Sequence, residues 1–457
     1  MNKTRTEHDM LGEMALPNSC YWGIHTQRAV DNFHLSDQVV NPALISAMAM
    51  VKKACCNANA ELNFIPPEKA NAIATACDEI VEGKFADQFP IDALQGGAGT
   101  STNMNINEVI ANRALELCGH ERGDYDFIDP IQQVNLHQST NDVYPTALKI
   151  ATILKLRNLS EVIAQLQDVF QHKEEEFADI IKIGRTELQN AVPLTLGAEF
   201  SAYSEAFARD RWRTFKAEER IRIVNIGGTA VGTGLTAPRS YIFLVIEKLR
   251  EVTGLGLMRG ENCIDQTANA DSFVEVSAIM KAAAVNLSKV ARDLRQLHFI
   301  GEIKLPPVQA GSSIMPGKVN PVICEAVIQG AMSIISSDML VTECAMQGTL
   351  QINEFMPLLA DALLRGLTQL KNCTVMLTTH AAAIVPSPDK CRSLLESDPM
   401  LITAFLPHIG YEKALELLNE FTASKSNNFH DFLALNLDQT LVEKVLSPHN
   451  LTALGYR

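Results

Sequence analysis

The chain has 457 residues, a mass of 50.1 kDa and a formal net charge of −14. With 47% apolar and 20% charged residues it is not a disordered chain. Its acidity disfavours nucleic acid or an anionic membrane surface as a partner. No run reaches roughly 18 consecutive apolar residues, so no membrane-spanning helix is expected.

The first residues, MNKTRTEHDM, lead into no apolar stretch, so a cytoplasmic protein without a signal peptide is expected. The ten scattered cysteines form no CxxC pair and read as reduced, mostly buried thiols. Residues 1–140 mix loops with shorter helices and are read as an N-terminal domain. From Thr146 to Ile180 apolar residues recur at gaps of three and four, including Leu148, Ala151, Leu159, Val162 and Leu166. That spacing predicts one face of a long helix. The same period marks 197–224, 272–298, 321–346 and 354–384. The fold class expected is therefore mainly α, with a central bundle of five long helices over 141–386. Five such helices expose more apolar surface than they can bury among themselves, so oligomerisation is expected. Prolines 386, 388, 399 and 407 break the remainder, 387–457, into a small C-terminal helical domain.

Five polar runs join the long helices: QGGAGTSTNMN (95–105), QSTNDVYP (138–145), GRTELQNAVP (184–193), GGTAVGTGL (227–235) and AGSSIMPGKVNP (310–321). GGAGTST lacks the third glycine of a dinucleotide loop and has no βαβ setting. GSSIMPGKV spaces its glycines wrongly for a P-loop and has Val319 where a hydroxyl must bind magnesium. No HExxH pair suggests a metal and no GxSxG elbow suggests a hydrolase. What the runs share is hydroxyl and amide groups: Thr100, Ser101, Ser139, Thr140, Asn141, Thr186, Ser312, Ser313 and Asn320, with one cation, Lys318. Converging on a cleft, this set suits a small dianion. Singly, each residue is equally at home as a helix cap or turn former.

GSSIMPGKVNP (311–321) closely resembles the signature of the fumarase/aspartase superfamily. YWGIHTQRAVDNF (21–33), QGGAGTSTNMNINEVIANRALEL (95–117), VNLHQSTNDVYPTALKIA (134–151), GRTELQNAVPLTLG (184–197) and GGTAVGTGL follow in the family's order. The resemblance implies a homotetramer built on a twenty-helix core, with each active site assembled from three subunits. It implies elimination that releases fumarate from a succinyl-type dicarboxylate. Residue by residue, it makes Ser312 the catalytic base. Ser313, Thr100, Ser139 and Thr140 would bind the carboxylate beside the deprotonated carbon. Lys318 and Asn320 would bind the other carboxylate, and Asn141 and Thr186 would lie near the leaving group and that second carboxylate. Serine is a poor base unless amide donors and a cation favour its alkoxide.

His25 in GIHTQRA, GGAGTS and STNDVYP resemble the aspartase branch of the superfamily more than the class II fumarases, whereas Tyr21–Trp22 leans the other way. The activity implied is deamination of aspartate to fumarate. Fumarate hydration, a lyase acting on a modified aspartate, and a catalytically silent helical oligomer are the alternatives. Glu187 departs from the family, which has histidine or glutamine there. It is expected to share a proton with Glu325, to pair with the substrate ammonium, or to be a displaced surface glutamate with no role, and the ammonium reading is the one favoured. Thr236 stands where asparagine is usual. The stretch 294–306 is about five residues shorter than the family pattern. That is either a true deletion or a gap in the sequence, and the link from a core helix to the catalytic loop favours the gap. A true deletion would put the placement of Ser312 in doubt. No metal site or required cofactor is expected, and activation by a divalent cation is not legible. The 310–320 loop is expected to close over substrate as a lid.

Overall fold

In the computed structural model, which describes residues 4–424, 426–451, 453 and 455, the protein is mainly α. The described strands pair only in twos, the first pair being the antiparallel β1 (Thr4–Asp9) and β2 (Gly12–Pro17). Helices α1 (Ile24–Asn32), α2 (Pro42–Glu61), α3 (Pro67–Val81) and α4 (Thr100–Leu117) precede α5 (Thr140–Glu176) and α6 (Leu196–Ala217). The shorter α7 (Arg239–Thr253) and α8 (Cys263–Ala268) lead to α9 (Asp271–Ile300), α10 (Val322–Met346) and α11 (Met356–Ala382). The five long helices read from periodicity are thus α5, α6, α9, α10 and α11.

The chain divides into two compact units. One comprises Met1–Leu159, Arg213–Ala282 and Ser333–Leu370; the other comprises Ser160–Trp212, Ala283–Met332 and Lys371–Arg457.

In the first unit α2 packs against α3 and α7. Its Asn41 cap accepts the Ala43 N–H and Pro42 occupies the first turn, where no N–H is missed. Leu44, Met48, Val51 and Cys55 of α2 are fully or almost fully buried. Helix α5 begins at Thr140, earlier than the expected Thr146, because Pro145 does not break it. Proline lacks the N–H that would bond the Asn141 carbonyl one turn back. That carbonyl instead accepts Asn225 Nδ2 at 2.9 Å. Helix α6, expected to reach Val224, stops at Ala217. The chain tightens into a 3-10 turn, and Ile223–Val224 pairs in parallel with Met258–Arg259.

The second unit holds strands β3 (Ile181–Thr186) and β4 (Gln189–Thr195), an antiparallel hairpin. Its core joins Phe170 with Phe200 and Phe207, whose ring centroids lie 5.8 and 5.5 Å from that of Phe170. A second cluster packs Ile183 of β3 against Leu401, Phe405, Phe429 and Leu433. A buried ion network ties the hairpin down. Glu302 is fully buried and receives Lys182 Nζ at 3.0 Å and Arg185 Nη1 at 2.9 Å, while Lys182 also meets Glu199 at 2.6 Å. The shortened junction at 298–301 forms a continuous, capped helix end. Gly301 takes φ 92°, and the N–H groups of Gly301 and Glu302 both bond the Leu297 carbonyl. The chain then enters Ile303–Lys304, which pairs with Val385–Pro386.

Candidate active site

The candidate residues form three groups, one in the first unit and two in the second. In the first unit two helix N-termini stand side by side. The turn before α4 carries three successive residues with positive φ, Gly97, Ala98 and Gly99. A Cβ on Gly99 would lie 2.3 Å from the Tyr144 ring of α5, so only glycine allows this approach. Thr100 is exposed, and its hydroxyl donates to the Gly97 carbonyl at 2.8 Å. Opposite it, Ser139 Oγ accepts the Asn141 N–H at 3.2 Å, and Thr140 Oγ1 accepts Asn103 Nδ2 at 3.2 Å. Asn141 Nδ2 donates to the Ala230 carbonyl at 2.7 Å.

Asp142 sets this geometry from behind. Its fully buried carboxylate accepts the N–H groups of Ser139 (3.0 Å), Gly227 (3.1 Å) and Thr229 (3.0 Å). Burial pushes its pKa up to about 6 against the pull of those donors. The Ser139–Asn141 turn and the 227–235 loop are therefore joined through one side chain. Asp142 lies inside the STND motif, yet only its burial reveals this role.

In the second unit the β3–β4 hairpin presents Thr186 and Glu187 at an exposed tip. Its two-residue turn is Glu187 (φ 52°) and Leu188 (φ 63°), positions where Asn-Gly is the usual pair. Each non-glycine residue there costs about 1–2 kcal/mol. Glu187 lines a cavity of about 680 Å3 with Arg185, Lys182, Glu199 and Lys289. Glu325 pairs within the subunit with Arg295, at 3.2 Å.

The third group is the signature loop between Lys304 and α10. The Gly311 N–H bonds the Lys318 carbonyl at 2.7 Å, and Asn320 Nδ2 bonds the Gly311 carbonyl at 2.9 Å. A Cβ on Gly311 would meet that Lys318 oxygen at 2.8 Å, so the ring closes only around glycine. Inside the ring Ser312 is half-buried, and its Oγ accepts the N–H groups of Ile314 (3.2 Å) and Met315 (2.9 Å). Two amide donors on one hydroxyl oxygen favour its anionic form. Ser313 and Lys318 are exposed, and no ion pair of Lys318 is found among the described residues. No group of three potential metal ligands occurs among the described residues.

These loops and helices have known counterparts. Residues 12–336 match a protein family described as lyase. The aspartate ammonia-lyase of Helicobacter pylori (strain J99) is 43% identical over 458 residues, spanning 98% of this chain and 97% of its own. That of Escherichia coli K12 is 40% identical over 467 residues, spanning 100% and 98%. Among solved structures, a fumarate lyase:delta crystallin from Brucella melitensis bound to cobalt aligns with a TM-score of 0.94 at 43% identity, covering 99% of this chain and 100% of that one. A class II fumarase from Schistosoma mansoni aligns with a TM-score of 0.91 at 29% identity, covering 98% of each. The chain belongs to this lyase family, the fumarase/aspartase superfamily that its motifs resemble.

Proposed function

We propose that this protein is a carbon–nitrogen lyase that deaminates L-aspartate reversibly to fumarate and ammonia. The observation that carries this reading is likeness along nearly the whole chain to aspartate ammonia-lyases at 40–43% identity, against 29% for a class II fumarase. Ser312 takes the proton from the carbon beside one carboxylate. The electron pair moves into that carboxylate, giving an enediolate dianion, and returns to form the double bond as ammonia leaves. Ser313, Thr100, Ser139 and Thr140 hold the carboxylate on which charge develops, where fixed donors act most strongly. Lys318 and Asn320 hold the other carboxylate, and Asn141 and Thr186 flank the amine.

Glu187 selects an amine-bearing substrate by pairing with its ammonium, a charge that malate lacks. The assay that tests both statements follows fumarate by ultraviolet absorbance, with ammonia measured in parallel. Wild-type protein is expected to form fumarate and ammonia from aspartate. Glu187→Gln is expected to lower the aspartate-to-malate ratio of kcat/KM by about tenfold, the weight of one charge-assisted contact, with Glu187→His moving it in the same direction. Fumarate from malate alone would sink the ammonia-lyase reading. An unchanged ratio in both variants would sink only the role of Glu187.

The working unit is a homotetramer with active sites shared between subunits. Its support is the apolar surface one chain leaves open. Helix α10 is long and apolar enough to cross a membrane, yet only 33% of its most apolar window is buried within the chain. Met339 and Met346 on α10 and Trp212 and Phe215 on α6 are each more than 60% exposed. A cytoplasmic setting accords with ten free cysteines. The 310–320 loop, exposed over Ser313–Val319, acts as a lid. Amide hydrogen exchange there is expected to slow when succinate binds, and equal exchange with and without succinate would count against closure.

A further inference from the structure

We infer that the buried Lys52 ammonium, acting through Asn135 and Asn103, keeps the Thr140 hydroxyl turned as a donor toward the substrate carboxylate. The inference rests on the function proposed above, in which Thr140 binds that carboxylate. Lys52 lies on the mainly apolar buried face of α2, which it shares with one other polar residue, Asn59, and is fully buried. Its Nζ donates to Asn135 Oδ1 at 2.8 Å and Gln138 Oε1 at 2.9 Å, and no ion pair to it is found among the described residues. A buried charge held only by amides is costly, so its retention calls for a reason.

The reason lies in orientation. An ammonium only donates, so it fixes which end of the Asn135 amide faces it. That oxygen also accepts Asn103 Nδ2 and Asn107 Nδ2, each at 3.2 Å. Asn103 cannot turn over, because its oxygen would then face the Asn135 oxygen. Its amide nitrogen must point inward, where it also reaches Thr140 Oγ1 at 3.2 Å. Thr140 is thereby an acceptor on its protein side, and among the described residues no acceptor is paired with its hydrogen. Thr100 differs, since its hydroxyl is already given to the Gly97 carbonyl. Burial lowers Lys52 to about 8, opposed at neutral pH by the nearby Asp142 carboxylate, so it stays mainly protonated. Lys52 and Asn103 are positioning residues; Thr140 makes the contact.

The probe is succinate, as a competitive inhibitor of aspartate turnover. Asn103→Asp puts an acceptor where the donor stood and draws the Thr140 hydrogen inward. Its Ki is expected to rise about 10–100-fold, as for loss of a hydrogen bond to a charged group. Thr140→Val should raise Ki similarly, and Asn103→Asp should add little in that background. Asn135→Asp keeps the acceptor that Lys52 fixes and should hold Ki within about threefold of wild type, whereas Asn135→Leu should raise it. If Asn103→Asp does not assemble, Asn103→Ala enters the same cycle. Additive effects of positions 103 and 140, or an unchanged Ki on altering 103, would overturn the inference. Wild-type protein that neither turns over aspartate nor binds succinate would instead overturn the function proposed above.

Discussion

Ser312→Ala is expected to lower kcat by about 100- to 10,000-fold while leaving succinate affinity within a few-fold, the span assigned to a positioned general base. The reasoning starts from the two N–H groups that point at Ser312 Oγ. Neither is needed to close the loop, which is already closed by the Gly311–Lys318 and Gly311–Asn320 bonds. Their effect falls on the hydroxyl oxygen, whose negative form they favour. Alanine removes that oxygen and leaves the ring of the loop intact, so binding should survive and turnover should not. Kinetics with aspartate, together with succinate inhibition, separate the two. A variant that loses affinity and keeps kcat would make Ser312 a binding residue and move the search for a base elsewhere. Ser313→Ala is the comparison, with the larger effect expected on KM.

The second large effect lies away from the chemistry. Glu302→Ala should destabilise the protein by about 3–5 kcal/mol, toward the lower end because Lys182 keeps Glu199. The carboxylate is fully buried and offsets both Lys182 and Arg185. Removing it leaves a buried ammonium with one partner where it had two. Glu302→Gln keeps the shape and loses the charge, so it should cost nearly as much. Urea unfolding at matched protein concentration measures this, since assembly couples to stability. A loss below about 1 kcal/mol would mean that water or Glu199 compensates fully. Because Glu302 stands between the capped end of α9 and the strand leading to the signature loop, kcat/KM should fall as well.

The long helices were legible because apolar residues that keep a three-to-four spacing over many turns line one side of a helix and of no other regular element. Their ends were less so. Pro145 reads as a stop until Asn225, which follows Asn141 by 84 residues, takes the carbonyl that proline leaves empty. The motif loops were legible as a family resemblance, and their chemistry as a density of hydroxyls and amides. The groups behind them were not. Asp142 and Glu302 sit within or beside the motifs, but a carboxylate in a motif reads as a ligand or a solvated charge. Only burial and the donors gathered around it distinguish a scaffold from a reactant. Lys52 is hidden more deeply, since one lysine in an apolar helix is usually read as the edge of its polar face. Glu187 stands out in the sequence as a departure, and the structure adds the left-handed backbone that carries it. At 298–301 the sequence shows only a stretch shorter than the family pattern; the Gly301 cap that closes the helix there is a feature of the backbone.

The contact between Gly99 and the Tyr144 ring has a bearing on redesign. With no room for even a methyl group, that turn cannot be adjusted in small steps, and the hydroxyls it aims are fixed relative to the neighbouring helix. Any side chain at Gly99 would collide with that ring and displace the turn. Freedom to vary lies instead at the exposed hairpin tip, where Glu187 and Leu188 sit on a backbone that glycine or asparagine would accept more readily. The molecule thus separates a turn that admits no added atom from a tip whose backbone leaves its side chains open to exchange.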